Sequence, residues 1–324
     1  MTPARSGAVE AAAAVLGDRA RRDVPLGPFT TYGVGGPAAL LLEGCGPEEL
    51  GLARRALAAA GGDLPVLVIG RGSNLLVADR GFPGLVLTLG EFFTAIHPDD
   101  AAVDGRHKVR AGGALSFPVL ARRTAALGLR GLEWAVGVPG SVGGAVRMNA
   151  GGHGSDVEAN LTRAWLFDLG AAPDAGGTEV PAAELDLGYR RSAIGPLHVV
   201  VAAEFALTPG DRAEAEAELA AVVRWRREHQ PGGSNAGSVF ANPEGDSAGR
   251  LIDAAGLRGH RRGSAFVSPK HANFVQVDEG GSADDVRALI EEVRTMVADR
   301  FGVVLELENR LVGFDPDPLP SSGG

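Results

Sequence analysis

Between Pro47 and the pair Gly61-Gly62, the apolar residues Leu50, Ala53, Leu57 and Ala58 recur at helical spacing, which predicts an amphipathic helix over 47–60. Short apolar runs at Val66–Ile69 and Leu75–Val77 read as strands on either side of Gly70-Arg71-Gly72-Ser73-Asn74. A second helix is predicted over 117–127, with Ser116 as N-cap and Gly128 beyond its end. From 131 to 154 glycine dominates, charges are few and no helical period is visible, so a compact, ordered loop system is expected. A β-rich stretch follows to Leu207, and Pro209-Gly210 reads as a boundary.

Beyond that boundary the periodicity is cleaner. Helices are predicted over 214–228 and 247–255, the latter closed by Gly256, and strand-like runs over 238–242 and 273–277. Ser282-Ala283-Asp284-Asp285 resembles a capping box, and Val286, Leu289, Ile290, Val293 and Val297 form one apolar face running down to Gly302. A closing strand is expected over 303–308, with Glu306 and Glu308 on one face and Val303, Leu305 and Leu307 on the other. Helices and strands alternate here over about 100 residues, the pattern of a separate α+β unit.

Composition narrows the function classes. The 324 residues are 45 % hydrophobic and 22 % charged, which is ordinary for a globular chain, and a net charge of -9 argues against general attraction to nucleic acid or anionic lipid. Cys45 is the only cysteine, so an internal disulfide and a thiolate metal cluster are excluded and a reducing cytoplasm is expected. The one uncharged run long enough to span a bilayer, 24–42, holds three prolines and four glycines and is not expected to cross one. Alternation of small apolar residues with Arg5, Glu10 and Asp18 breaks any signal-peptide segment, and the tail 316–324 reads as flexible. No GxxxxGK[ST] or HExxH occurs, and the seven histidines show no ligand spacing, so no metal site is expected.

Several segments can carry chemistry, each with a plainer alternative. Gly70 to Asn74 begins like a dinucleotide fingerprint, but Leu75 replaces the third glycine and a strand follows, so a Rossmann reading fails. What survives is a turn whose amides, with Ser73 and Asn74, could hold phosphate, or a tight turn without a ligand. Gly137-Val138-Pro139-Gly140-Ser141-Val142-Gly143-Gly144, continued by Asn149-Ala150, would let a backbone approach a flat or charged ligand, or would be a glycine-rich crossing. Tyr189-Arg190-Arg191-Ser192 reads as a loop with solvated arginines, Ser238 as a turn former, Glu306 and Glu308 as an exposed acidic face, and 258–262 as a solvated basic loop.

Taken together and in order, these segments resemble the UDP-N-acetylenolpyruvoylglucosamine reductase (UDP-N-acetylmuramate dehydrogenase) family, in its shorter type. Six stretches carry the resemblance: 30–37, 70–76, 131–151, 188–192, 235–243 with Lys270-His271-Ala272-Asn273-Phe274, and 305–313. It implies an α+β fold: a two-subdomain FAD-binding region of the vanillyl-alcohol-oxidase/p-cresol-methylhydroxylase type at 1–90 and 91–209, then a smaller α+β substrate domain at 210–315. It also implies FAD and NADPH as cofactors, UDP-N-acetylglucosamine enolpyruvate as substrate, and a cytoplasmic monomer serving peptidoglycan precursor synthesis.

Residue by residue, the resemblance assigns FAD contacts to Gly70, Arg71, Gly72, Ser73, Asn74, Gly137, Pro139, Gly140, Ser141, Gly143, Gly144, Asn149 and Ala150. Ser238 becomes the proton donor, with Arg190 and Glu308 stabilising the enolate. Tyr189, Asn242 and Lys270 become substrate contacts. The chain departs from the family's usual pattern at Gly33, where a basic residue is frequent, Ala241 (lysine), Arg250 (an aromatic) and Asn309 (valine). An oxidase on the same flavin scaffold would keep the FAD loops without needing Ser238, and a non-catalytic flavin- or nucleotide-sugar-binding protein would need none of the three catalytic groups.

Overall fold

The computed structural model describes residues 3–99, 104–172 and 174–315, so the tail expected at 316–324 lies outside the described residues. The chain divides into two compact units that interleave along the sequence. Unit 1 comprises 1–22, 39–71 and 83–226, and unit 2 comprises 23–38, 72–82 and 227–324. The last division between them falls at 226/227, inside the helix Arg212–His229.

Unit 1 holds two apolar cores. In one, Leu40, Leu42, Leu85 and Leu87 from the strands Pro37–Cys45 and Phe82–Leu89 meet Leu50, Ala53, Ala56 and Leu57 of the helix Pro47–Ala59. The sheet order is Arg21–Pro25, Pro37–Cys45, Phe82–Leu89, Val66–Ile69, the last two running parallel. A helix over Pro3–Leu16 joins this core through Ala8, Val9, Ala12 and Leu16. Sequence reading missed it because alanine-rich turns carry little hydrophobic contrast, although 8, 12 and 16 lie one helical turn apart.

The second core lies on the sheet Thr178–Pro181, Leu161–Asp168, His198–Pro209, His107–Gly112, Ile96–Pro98, where every pairing is antiparallel. The helix Phe117–Ala126 covers it with Phe117, Leu120, Ala121 and Ala125; Ser116 stands at the N-cap but makes no side-chain capping bond. The glycine-rich stretch is ordered, as expected, but it also contains a helix, Val142–Arg147. Ser141 caps it by accepting from Gly144 N at 3.2 Å. Glycine is favoured at 143 because a Cβ there would crowd two carbonyl oxygens, at 3.0 Å from Val200 O and 3.1 Å from Gly113 O. Packing demand, and not period, selects glycine at that position and hides the helix from a periodicity search.

Unit 2 is built on one core that joins distant segments: Tyr32 and Val34, Leu76, and Val239, Leu251, Val267, Val275, Val286, Ile290 and Leu305. The helix Ala283–Phe301 starts at Ser282, whose hydroxyl accepts from Asp285 N at 3.1 Å, and ends at Gly302 with φ 69°. Asp79 also caps it, its carboxylate accepting from Ala283 N at 3.0 Å and Asp284 N at 3.2 Å. The helix expected over 247–255 is present at Ala248–Ala254, with Ser247 as its N-cap.

Two expected strands are absent. Segments 238–242 and 303–308 meet through the single bridge Phe240↔Leu307, with Ala241 N donating to Glu306 O at 2.9 Å and Glu308 N to Val239 O at 2.8 Å. The closing strand is instead Arg310–Val312, parallel to Leu75–Val77. Its pairing captures the chain two residues after Glu308, and alternation at 303–308 therefore separates buried Leu305 from exposed Glu306 without a sheet. The expected strand at 273–277 shortens to Val275–Val277, because Asn273 is drawn into side-chain bonds with Phe240.

Candidate functional site

In unit 1 the Asn149–Gly151 loop lies against the Tyr189-Arg190 turn. Gly188 and Arg191 exchange backbone bonds of 3.1 Å in both directions, closing a two-residue turn in which Arg190 takes φ 54°. That left-handed conformation costs a residue with a Cβ roughly 1–2 kcal/mol, so surrounding bonds must hold it. Arg190 Nη2 donates to Gly151 O at 3.2 Å, and its guanidinium lies 4.9 Å from the Tyr189 ring centroid. Tyr189 is 63 % exposed and offers its ring to an incoming group.

Asn149, only 1 % exposed and itself at φ 38°, donates from Nδ2 to Gly188 O at 3.0 Å and accepts at Oδ1 from Glu158 N at 3.0 Å. Its side chain is therefore a strut under the Arg190 turn, and its own N–H donates to Val146 O at 3.1 Å, which leaves only its carbonyl to a ligand. Ala150 continues the same loop, its N–H donating to Ala145 O at 2.9 Å. Gly70 lies so close to Ser141 that a Cβ would collide with the serine Oγ. Gly137 accepts from the Arg226 guanidinium, while Pro139 and Gly144 are exposed and Gly140 half-buried. Arg226 is held below the usual arginine range by burial.

In unit 2, Gly72 sits at φ 61° with its Cβ direction blocked by Phe29 O, so only glycine fits this turn. The peptide N–H groups of Gly72, Ser73 and Asn74 donate to no acceptor among the described residues. Three consecutive orphan amides beside a serine hydroxyl form a donor set suited to a diphosphate, and FAD presents one. Asn74 Nδ2 donates to Glu308 O at 3.2 Å, and Asn74 O accepts from Arg310 N at 2.9 Å.

The Ser238 segment is clamped from two sides. Val239 N donates to Asn273 O at 2.9 Å, and Phe240 exchanges bonds of 3.0 and 2.8 Å with the Asn273 side chain. On the other side the 2.8 Å bond from Glu308 N to Val239 O brings the backbones of the Ser238 and Glu308 segments together. Both residues are half-buried. Tyr32, 1 % exposed, lies beneath: burial pushes its phenol up, opposed by the Ala236 backbone. Asn242 Oδ1 accepts from Ala248 N at 3.1 Å, and the exposed Lys270 donates from Nζ to Arg227 O at 2.6 Å.

Each unit thus assembles part of the expected constellation: Arg190, Tyr189 and most of the glycine loops in unit 1, and Ser238, Glu308, Asn242, Lys270 and the turn 72–74 in unit 2. Sequence reading names Asn273 only within a resembling stretch and Asn309 only as a departure, and gives neither a role; their buried amides tie these segments, and an isolated asparagine carries no periodic signal.

Residues 48–168 match a family model described as an FAD binding domain, and residues 229–312 match the C-terminal domain of UDP-N-acetylenolpyruvoylglucosamine reductase. The UDP-N-acetylenolpyruvoylglucosamine reductase 2 of Symbiobacterium thermophilum is 43 % identical over 304 residues, covering 92 % of this chain and 94 % of its own. The corresponding reductase of Anaeromyxobacter dehalogenans is 44 % identical over 307 residues, covering 94 % and 89 %. Among solved structures, the UDP-N-acetylenolpyruvylglucosamine reductase of Thermus caldophilus superposes with a TM-score of 0.75 at 36 % identity, over 91 % of this chain and 99 % of that one. The α+β chain with its FAD-binding domain therefore belongs to the UDP-N-acetylenolpyruvoylglucosamine reductase family, and it is an oxidoreductase.

Proposed function

We propose that this chain reduces the enolpyruvyl ether of UDP-N-acetylglucosamine to the lactyl ether, UDP-N-acetylmuramate, with NADPH as reductant, as a step in peptidoglycan precursor synthesis. The observation that carries the reading is the backbone bond from Glu308 to Val239, which couples the strand approach bearing the carboxyl to the loop bearing the Ser238 hydroxyl. FAD, when bound, would supply the hydride chemistry, taking it from NADPH and delivering it to the substrate methylene. The amides of Gly72, Ser73 and Asn74 would hold its diphosphate, and Gly140, Gly143 and Gly144 would lie against it as side-chain-free backbone.

Addition of hydride to the methylene carbon leaves negative charge on the neighbouring carbon and its carboxylate. Arg190 would pair with that carboxylate, its orientation set in advance by Gly151 O and the Tyr189 ring. Glu308, as a carboxylic acid, would donate a hydrogen bond to the same charge, where a carboxylate would repel it. Ser238 would deliver the proton. A hydroxyl is a weak acid in water, so this step depends on the basicity of the enolate and on rigid alignment, which the double clamp on residues 238–240 favours. Tyr189, Asn242 and Lys270 would contact the sugar nucleotide.

No helix of the described residues is long and apolar enough to cross a membrane. Cys45 is buried and its thiol pushed up to about 12, chiefly by desolvation, which makes it a packing residue and fits a reducing cytoplasm. The test is anaerobic stopped-flow on wild type and Ser238→Ala. NADPH should bleach the flavin equally in both, and re-oxidation by the enolpyruvyl sugar nucleotide should slow by about 100-fold or more in the variant. Equal re-oxidation rates would remove Ser238 from the mechanism.

A further inference from the structure

We infer that Asn309 is a positioning residue: its buried side-chain amide fixes the Ser238 loop and the Gly72–Asn74 turn relative to the backbone that carries Glu308. The inference rests on the reading of Ser238 as proton donor and deepens it.

Asn309 is 4 % exposed and directly follows Glu308. Its Nδ2 lies 3.0 Å from Ala236 O, 3.1 Å from Ser238 O and 3.0 Å from Asn74 Oδ1, three acceptors that share its two N–H hydrogens. The first two acceptors are main-chain carbonyls, which can only accept, so the side-chain nitrogen must face them and the amide has one admissible orientation. The Asn74 side chain is oriented in turn, since its Nδ2 donates to Glu308 O. Three segments that would serve proton transfer, flavin binding and enolate stabilisation therefore meet on one –NH2 group.

Local geometry explains how two carbonyls of alternate residues reach the same donor. Gly237 between them takes φ 78°, and its N–H is held by Asn235 Oδ1 at 3.1 Å, so the loop turns back and presents both oxygens to Asn309. The other end of the amide does no comparable work: Asn309 Oδ1 is enclosed with no hydrogen-bond partner among the described residues. Such an arrangement is costly unless the donor end matters. An apolar residue here would leave the Ala236 and Ser238 carbonyls without this donor, so that Ser238 is held only through the bonds of its neighbours Val239 and Phe240.

Asn309→Val and Asn309→Thr separate donor from volume, because the two side chains are isosteric and differ by one hydroxyl. Both are compared with the full-length, FAD-loaded protein. NADPH should bleach the flavin within about threefold of the wild-type rate in each. Re-oxidation by saturating enolpyruvyl sugar nucleotide should slow about 10- to 100-fold in Asn309→Val and at least about threefold, but less than in Asn309→Val, in Asn309→Thr, with half-saturation little changed. In a Ser238→Ala background, adding Asn309→Val should slow re-oxidation by less than about threefold further. The FAD dissociation constant, read from flavin fluorescence without turnover, should rise more in Asn309→Val than in Asn309→Thr as Asn74 loses its donor.

The inference is overturned if Asn309→Val re-oxidises at the wild-type rate, if Val and Thr lose equally, or if both half-reactions fall together. Should Asn309→Val fail to retain FAD, Asn309→Thr decides by the same split between half-reactions. A Ser238→Ala protein that re-oxidises normally removes the proton-donor reading itself. A slow Ser238→Ala beside a normal Asn309→Val removes only the role of Asn309.

Discussion

Arg190 adopts a backbone conformation that glycine or asparagine tolerates and arginine resists, with φ at 54° in a turn locked by reciprocal bonds between Gly188 and Arg191. Strain held at a residue with an assigned chemical task predicts a trade of stability against function. Arg190→Asn should leave the global unfolding free energy within about 1 kcal/mol of wild type, because relief of the left-handed strain offsets the lost contacts to Gly151 and Tyr189. Oxidation of the reduced enzyme by substrate should nonetheless slow by orders of magnitude. Urea unfolding and single-turnover kinetics on the same preparation check both halves. A fall of several kcal/mol would show that the guanidinium is a structural brace.

At the scale of elements, the segment 268–274 illustrates how the site depends on its surroundings. Asn273 clamps Phe240 and lies beside His271, whose Nδ1 accepts from Asn273 N at 3.2 Å and whose ring meets Phe274 edge-on at 4.8 Å. Burial holds the His271 pKa below 6.5, helped by the charges of Arg258 and His229, and the accepting Nδ1 also requires an unprotonated nitrogen. Well above pH 6.5 neither folded nor unfolded ring binds a proton and the contribution is complete. Below it the unfolded chain protonates first, so stability declines as pH falls towards the folded pKa. The thermal midpoint of wild type should therefore drop between about pH 7 and pH 5 by more than that of His271→Gln. Identical pH profiles would place the titration elsewhere.

These elements also mark what the sequence could and could not disclose. Helices with apolar stripes and terminal serines or glycines, such as Ala283–Phe301 between Ser282 and Gly302, were legible because their signals are local. The helix Val142–Arg147 was hidden, since Gly143 within it answers to the carbonyls of Gly113 and Val200 from distant chain. Residue chemistry alone left Ser238 a turn former and Glu308 part of an acidic face. The ordered family motifs singled them out, and the backbone bond between their segments appears only in three dimensions. Asn309 lay beyond reach because its role requires two carbonyls aligned by the left-handed turn at Gly237.

For the whole molecule, the governing fact is that unit 2 draws on three separate stretches of chain. The family model of the C-terminal domain spans 229–312, yet the core around Leu251, Val286 and Leu305 also contains Tyr32, Val34 and Leu76, and the strand Arg310–Val312 pairs with Leu75–Val77. A fragment covering 227–315 lacks these residues. It should give no cooperative thermal unfolding by circular dichroism and should bind apolar dyes, whereas the full chain unfolds sharply. A sharp transition in the fragment would mean that the early segments decorate a core complete without them.

The parallel pairing of Leu75–Val77 with Arg310–Val312 also bears on how the polypeptide is made. Asn74 and Asn309 are 235 positions apart, and at about 5–20 residues per second the ribosome needs roughly 12 to 50 s to travel from one to the other. Throughout that interval Leu76, which ends fully enclosed, has no partner strand on the nascent chain. An apolar edge left waiting so long is a natural target for holdase chaperones, and slowing translation near the 3' end of the message should increase aggregation of the newborn enzyme.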